Sequence, residues 1–100
     1  MILNDIIGNG SAGVTIGETS VPVVINRNNI YGNGVADGSN CGVAVFHNSA
    51  DAINNYWGSA QGPGPDPADN VGELPLCNGT AVDAGVPGTK PFATQPFGVL

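Results

Sequence analysis

An Asn-rich segment returns three times within the first 59 residues. Asn4-Asp5-Ile6-Ile7-Gly8-Asn9-Gly10 recurs as Asn28-Asn29-Ile30-Tyr31-Gly32-Asn33-Gly34, then in decayed form as Asn54-Asn55-Tyr56-Trp57-Gly58-Ser59, at spacings of 24 and 26 residues. A return of this length marks stacked architectures, in which one unit buries its apolar face only against the next. A Gly and a short β-branched run follow each of the first two units, Gly13-Val14-Thr15-Ile16 and Gly42-Val43-Ala44-Val45. The second unit carries a longer loop, residues 35–41, in between.

The central unit reads Val23-x-Ile25-x-x-Asn28-x-Ile30-x-x-Asn33. Apolar spacing of two gives short strands, and each slip to three is a bend where the chain turns a corner. The expected fold is therefore all-β: a short right-handed parallel β-helix, a solenoid of two to three coils. Asn repeated at a corner has a physical purpose. Stacked amides bond to one another and to corner backbone that has no ladder partner. Asn4, Asn28 and Asn54 are expected to form one inward ladder, and Asn9, Asn33 and Ser59 a second. Ile6, Ile30 and Tyr56 are expected to stack as an apolar column, beside Val14 over Val43 and Ile16 over Val45. The alternative is a β-sandwich with Asn-Gly hairpin turns at 9–10, 33–34 and 78–79.

Composition agrees with an all-β chain. Val, Ile, Asn and Gly far outnumber Leu, Glu, Gln and Lys, which is poor material for helix. Lys+Arg number 2 against 8 Asp+Glu, a net charge of −6, so the basic footprint needed for nucleic acid or an anionic membrane is missing. No apolar stretch approaches the roughly 20 residues of a bilayer span. Cys41 and Cys77 are the only thiols and His47 the only imidazole, too few for a structural zinc site. A Cys41–Cys77 disulfide is expected, with two unpaired buried thiols as the alternative. The bridge implies an oxidising compartment. The first 20 residues lack a basic n-region and an apolar h-region, so any export signal is expected outside this chain.

Two features resemble a known family. The Val-x-Ile-x-x-Asn-x-Ile-x-x-Asn unit is similar to the repeat of right-handed parallel β-helix proteins of the pectate-lyase-like type. The run from Ala52 through Asn54-Asn55-Tyr56-Trp57-Gly58-Ser59 to Gly62-Pro63-Gly64-Pro65 resembles the motif closing many bacterial surface or secreted members, and Lys90-Pro91-Phe92-Ala93-Thr94 resembles the Pro-Phe strand that follows it. The resemblance covers nearly the whole chain. It implies a fold and a position, the C-terminal end of a β-helix, in a bacterial secreted or cell-surface protein. It implies no activity, because such folds host lyases, glycosidases and adhesins alike. The Asp, Arg and Lys cluster of pectinolytic relatives has no counterpart here.

From Ala60 the repeat dissolves. Pro63, Pro65 and Pro67 exclude a central strand, and the runs at 74–76, 81–82 and 97–100 are short and broken. Residues 60–100 are expected to be an irregular Pro/Gly-rich cap on coils formed by 1–59, within a single domain. No such cap precedes Ile2-Leu3-Asn4, so the N-terminal edge is expected to meet upstream coils of a longer parent or another copy of the chain.

The search for chemistry finds little. The carboxylates are scattered, and only Asp66 and Asp69 lie close, without a calcium-loop pattern. Arg27 has no charged neighbour one period away, and His47 has no triad partner. Asn9-Gly10-Ser11 and Asn78-Gly79-Thr80 fit the glycosylation sequon, which matters only in a eukaryotic secretory host. No catalytic residue, metal or cofactor is expected. The position after each column residue reads Ile7, Tyr31, Trp57, and these are expected to point outward. With Asn29 and Asn55 beside them, Tyr31 and Trp57 form a candidate sugar-binding platform, the competing view being that the tail covers Trp57. The expected function is a non-enzymatic structural or capping module. The alternatives are a carbohydrate-binding surface and a non-catalytic fragment of a polysaccharide lyase or hydrolase.

Overall fold

The computed structural model describes residues 4–17, 23–46, 50–64, 68–73, 77 and 89–98. His47, Asp66, the sequon at 78–80 and the apolar runs at 74–76 and 81–82 lie outside them.

The described residues form strands and no helix: β1 (Asp5–Ile7), β2 (Val14–Ile16), β3 (Asn29–Tyr31), β4 (Cys41–Val45) and β5 (Asn70–Glu73). They make two small sheets, β1-β3 and β2-β4-β5, and every pairing is parallel. Hairpins give antiparallel pairs, so the Asn-Gly turns at 9–10 and 33–34 are not hairpin turns. Asp5, Ile6 and Ile7 face Asn29, Ile30 and Tyr31, while Val14 and Ile16 face Val43 and Val45. Isolated parallel bridges join Asn29 to Tyr56 and Val24 to Asp51. Among the described residues, strands from successive stretches of the chain thus lie side by side in parallel.

Short β-branched runs make these strands: β4 is buried at all five positions, while β2 and β3 bury Ile16 and Ile30. Ile16, Ile25, Ile30, Val43, Val45, Ala52, Trp57 and Val71 form a single apolar cluster between the sheets, with Ile6, Val14, Val23 and Phe92 packed at its margin. The Cys41–Cys77 disulfide is present, with Cα atoms 5.3 Å apart, and lies in a second small cluster beside Ala44.

Two expectations are corrected here. The segment after Ala60 is not wholly irregular: β5 joins β4 in register, with Val71 beside Val43 and Glu73 beside Val45. Pro63 precedes this strand and does not interrupt it; Pro65 and Pro67 lie outside the described residues. The apolar column is Ile6, Ile30 and Trp57, not Tyr56, because Asn29 pairs with Tyr56 and the register at the third return is one residue later than the sequence alignment places it.

Candidate functional site

Parallel passes leave the corner backbone without ladder partners, and Asn side chains supply them. Asn4 donates its backbone N–H (3.0 Å) and its Nδ2 (3.1 Å) to Oδ1 of Asn28, 24 residues on. Asn28 repeats both bonds to Oδ1 of Asn55 at 2.9 and 3.2 Å. The Nδ2 of Asn55 then closes on the carbonyls of Ile25 (2.6 Å) and Ala52 (2.7 Å). Asn28 and Asn55 are buried, so these bonds form where water cannot replace them.

The second ladder starts identically. Asn9 donates N–H (3.1 Å) and Nδ2 (2.8 Å) to Oδ1 of Asn33. Asn33 donates its Nδ2 to Oδ2 of Asp69 at 2.6 Å, and its N–H to both carboxylate oxygens at 3.2 and 3.3 Å. Asp69 is fully buried, and these charge-assisted bonds offset part of the cost of taking its carboxylate out of water. Two glycines make room. A Cβ on Gly13 would stand 2.9 Å from Asn33 Nδ2, and one on Gly42 would stand 2.8 Å from Asp69 Cβ.

The third members of both ladders differ from those expected. Asn54 is replaced by Asn55. Asn54 is solvent-exposed, with φ of 59°, and its carbonyl accepts from Arg27 N–H, whose φ is 56°. The left-handed residue before each ladder Asn is therefore Arg27 in one pass and Asn54 in the next, and the Asn-Asn pair masked that register. Ser59 is replaced by Asp69. Ser59 instead caps a local turn, its Oγ bonded to Gln61 N–H at 3.1 Å and to Gln61 Oε1 at 2.8 Å. A carboxylate oxygen fills the amide oxygen's place, and Asp69 N–H bonds the Trp57 carbonyl at 2.8 Å, so the detour from 58 to 68 begins and ends at one corner.

The expected outward platform does not form. Trp57 is fully buried in the central cluster because it, not Tyr56, occupies the column below Ile30. Its indole Nε1 has no hydrogen-bond partner among the described residues. Asn55 is buried in the first ladder, and Asn29 is buried beneath the tail. Asn29 Nδ2 bonds Asp5 Oδ1 and the Phe97 carbonyl, both at 2.8 Å, while its Oδ1 accepts from Phe97 N–H at 2.7 Å. Tyr31 remains half-buried and meets Tyr56 edge to face, with centroids 5.9 Å apart.

The first and last strands are covered differently. At the C-terminal end the tail lies along the last pass: Asn54 N–H donates to the Pro91 carbonyl, Ala93 N–H donates to the Asn55 carbonyl, and Phe92 packs into the core margin. At the N-terminal end β1 and β2 are both sheet edges among the described residues. Ile7 there is 41% exposed. Among the described residues no group of His, Cys, Asp or Glu is arranged to hold a metal ion. The chemistry of this arrangement is backbone pairing and amide hydrogen bonding.

No protein-family model matches the chain, and no curated protein or solved structure matches it.

Proposed function

We infer that the chain is a short right-handed parallel β-helix serving as a non-enzymatic end module of a secreted or cell-surface protein. Its tail closes one end, and its open edge faces further coils or another copy. One observation carries this reading: an Asn or Asp side-chain oxygen at the equivalent corner takes the backbone N–H and the Nδ2 of the preceding Asn, in two separate ladders. Stacking of passes in register accounts for a side-chain bond repeated in this way. The disulfide supports an oxidising compartment. The resemblance of the Asn54–Ser59 region and of Lys90-Pro91-Phe92 to β-helix closing motifs supports the position. A surface or secreted setting for bacterial proteins of this kind follows from the same resemblance.

Amide hydrogen exchange on the full chain tests the reading. The interior strands β3 and β4 and the amides of Asn54 and Ala93 are expected to exchange slowly, and the outward amides of β1 and β2 quickly. Equal protection at both ends would sink the end-module reading, as would cleavage of a polyuronide by the purified chain.

A further inference from the structure

Asn followed by Gly is a chemically labile pair, because glycine has no Cβ to keep its amide nitrogen away from the preceding carboxamide. The pair occurs at 9–10, 33–34 and 78–79, the last outside the described residues. The first two stand one repeat apart, yet the fold treats them oppositely. Asn33 and Gly34 are both buried. Gly34 N–H donates to the carbonyls of Asn9 (2.9 Å) and Ser11 (2.7 Å). A Cβ on Gly34 would stand 2.5 Å from Cys41 N and 2.6 Å from Asn40 N, so the backbone there is closely packed. Asn33 Nδ2 is held by the Ile6 carbonyl at 2.7 Å and by Asp69 Oδ2 at 2.6 Å. Asn9 and Gly10, by contrast, lie exposed between β1 and β2. Among the described residues Gly10 N–H has no acceptor, and Asn9 Nδ2 bonds Asn33 Oδ1 alone. The bond from Gly34 N–H to the Asn9 carbonyl also draws electrons from the Asn9–Gly10 peptide, which makes the Gly10 proton easier to lose.

We propose that Asn9-Gly10 is a site of spontaneous deamidation, with water as the co-reactant, and that the fold holds the same pair at Asn33-Gly34 inert. Gly10 N gives up its proton and attacks Asn9 Cγ. The Cγ–Nδ2 bond breaks, and Nδ2 leaves with that proton as ammonia. Water then opens the cyclic imide at either carbonyl, giving aspartate or isoaspartate. Nothing is oxidised or reduced: one water enters and one ammonia departs. At Asn33 the same attack would first have to free Gly34 N–H from two carbonyls inside a packed corner. Conversion at residue 9 takes the first step out of the second ladder. A carboxylate has no hydrogen for Asn33 Oδ1, where Asn9 Nδ2 now donates at 2.8 Å. Isoaspartate also lengthens the backbone beside the carbonyl that holds Gly34 N–H. Either product adds a negative charge to a chain already at −6.

The test incubates the full chain, disulfide intact, in neutral buffer made with heavy-oxygen water, and in parallel in urea beyond its unfolding midpoint. Peptide mapping by fragmentation mass spectrometry then follows label uptake at residues 9 and 33 separately. In urea the two sites are expected to convert at comparable rates, because the reacting pair is the same. In buffer Asn33 is expected to convert at least about tenfold more slowly than Asn9, since its reaction needs local opening. Equal rates at the two sites in buffer would overturn the proposal, as would an Asn9 slowed by folding as strongly as Asn33. Unequal rates that persist in urea would also overturn it, by assigning the difference to neighbouring sequence. Asn9→Asp reproduces one product without the reaction. Exchange of the Gly34 amide in that variant is expected to quicken by about tenfold, and unchanged exchange would overturn the loss of the ladder's first step.

Discussion

The two ladders begin alike and end differently. The first runs Asn4, Asn28, Asn55 at separations of 24 and 27, and every member is an amide. The second runs Asn9, Asn33, Asp69 at separations of 24 and 36, and its last member is a carboxylate reached after a Pro-rich detour. The same backbone geometry is served in both. What the position requires is a short side chain with an acceptor oxygen aimed at the previous corner. Residue identity and spacing are free to drift while that oxygen stays in place.

Removing the shared middle member should separate the ladders most strongly. Asn33→Ala strips Asn9 N–H and the Ile6 carbonyl of their side-chain partner and takes the Nδ2 donor from Asp69 at once. It leaves a buried carboxylate short of a donor, which we expect to cost about 4–5 kcal/mol and to unfold a domain this small. Asn28→Ala in the first ladder leaves only neutral groups unpaired, and about 3 kcal/mol is expected. Urea midpoints of the two variants compare them. Equal losses would mean that the Asp69 charge adds nothing to the second ladder.

Steric room gives the next test. Gly42→Ala pushes a methyl to 2.8 Å from Asp69 Cβ and 3.0 Å from Ile30 Cγ2, both on buried residues. A loss of about 2–3 kcal/mol by denaturant titration is expected. Gly17, where an added Cβ meets nothing within 4 Å, is the control, and Gly17→Ala should change stability by about 0.5 kcal/mol or less. A cost at Gly42 no larger than at Gly17 would show that the ladder can move aside.

These features explain what could be read in advance. The first two passes were legible because Asn-x-Ile-x-x-Asn recurs without insertion, so β1 over β3 and β2 over β4 follow from alignment of the residues. The parallel all-strand character follows from the same repeat. The third pass was not legible in detail. At Asn54-Asn55 two identical residues compete for one position, and only the left-handed φ shared by Arg27 and Asn54 decides between them. That choice moves Trp57 from the surface to the core and removes the candidate platform. Asp69 was obscured by the detour, although Asp69-Asn70-Val71 carries a signal: an acceptor side chain immediately before a strand that regains Val43's row. Burial of Asn29 depends on Phe97, 68 residues away, and no local pattern encodes that contact.

The register itself can be challenged at the adjacent asparagines. Asn55→Gly removes four hydrogen bonds in the buried ladder and should cost about 3–4 kcal/mol. Asn54→Gly keeps the backbone bond to Pro91 and suits φ of 59°, so a change within about 0.5 kcal/mol is expected. The reverse order of effects, read from thermal midpoints, would restore the alignment that puts Asn54 in the ladder.

The smallest effect belongs to the loop that bridges the second ladder to β4. Asp37 there is held below the ordinary aspartate value of 3.8, chiefly by hydrogen bonding to the Ser39 side chain, then to the Ser39 backbone and to Ser11. Its carboxylate is fully exposed, whereas that of Asp69 is buried, so the two acids contrast solvent-screened with unscreened hydrogen bonding. A carboxyl whose folded pKa is lowered contributes stability above its unfolded value and loses it as pH falls through the folded value. Asp37→Asn should therefore lower the thermal midpoint slightly at pH 7. The difference between variant and parent should shrink as pH drops below 3.8 and vanish in stronger acid. A difference that persists unchanged there would assign the effect to Ser39 geometry in the loop, with no part for the charge.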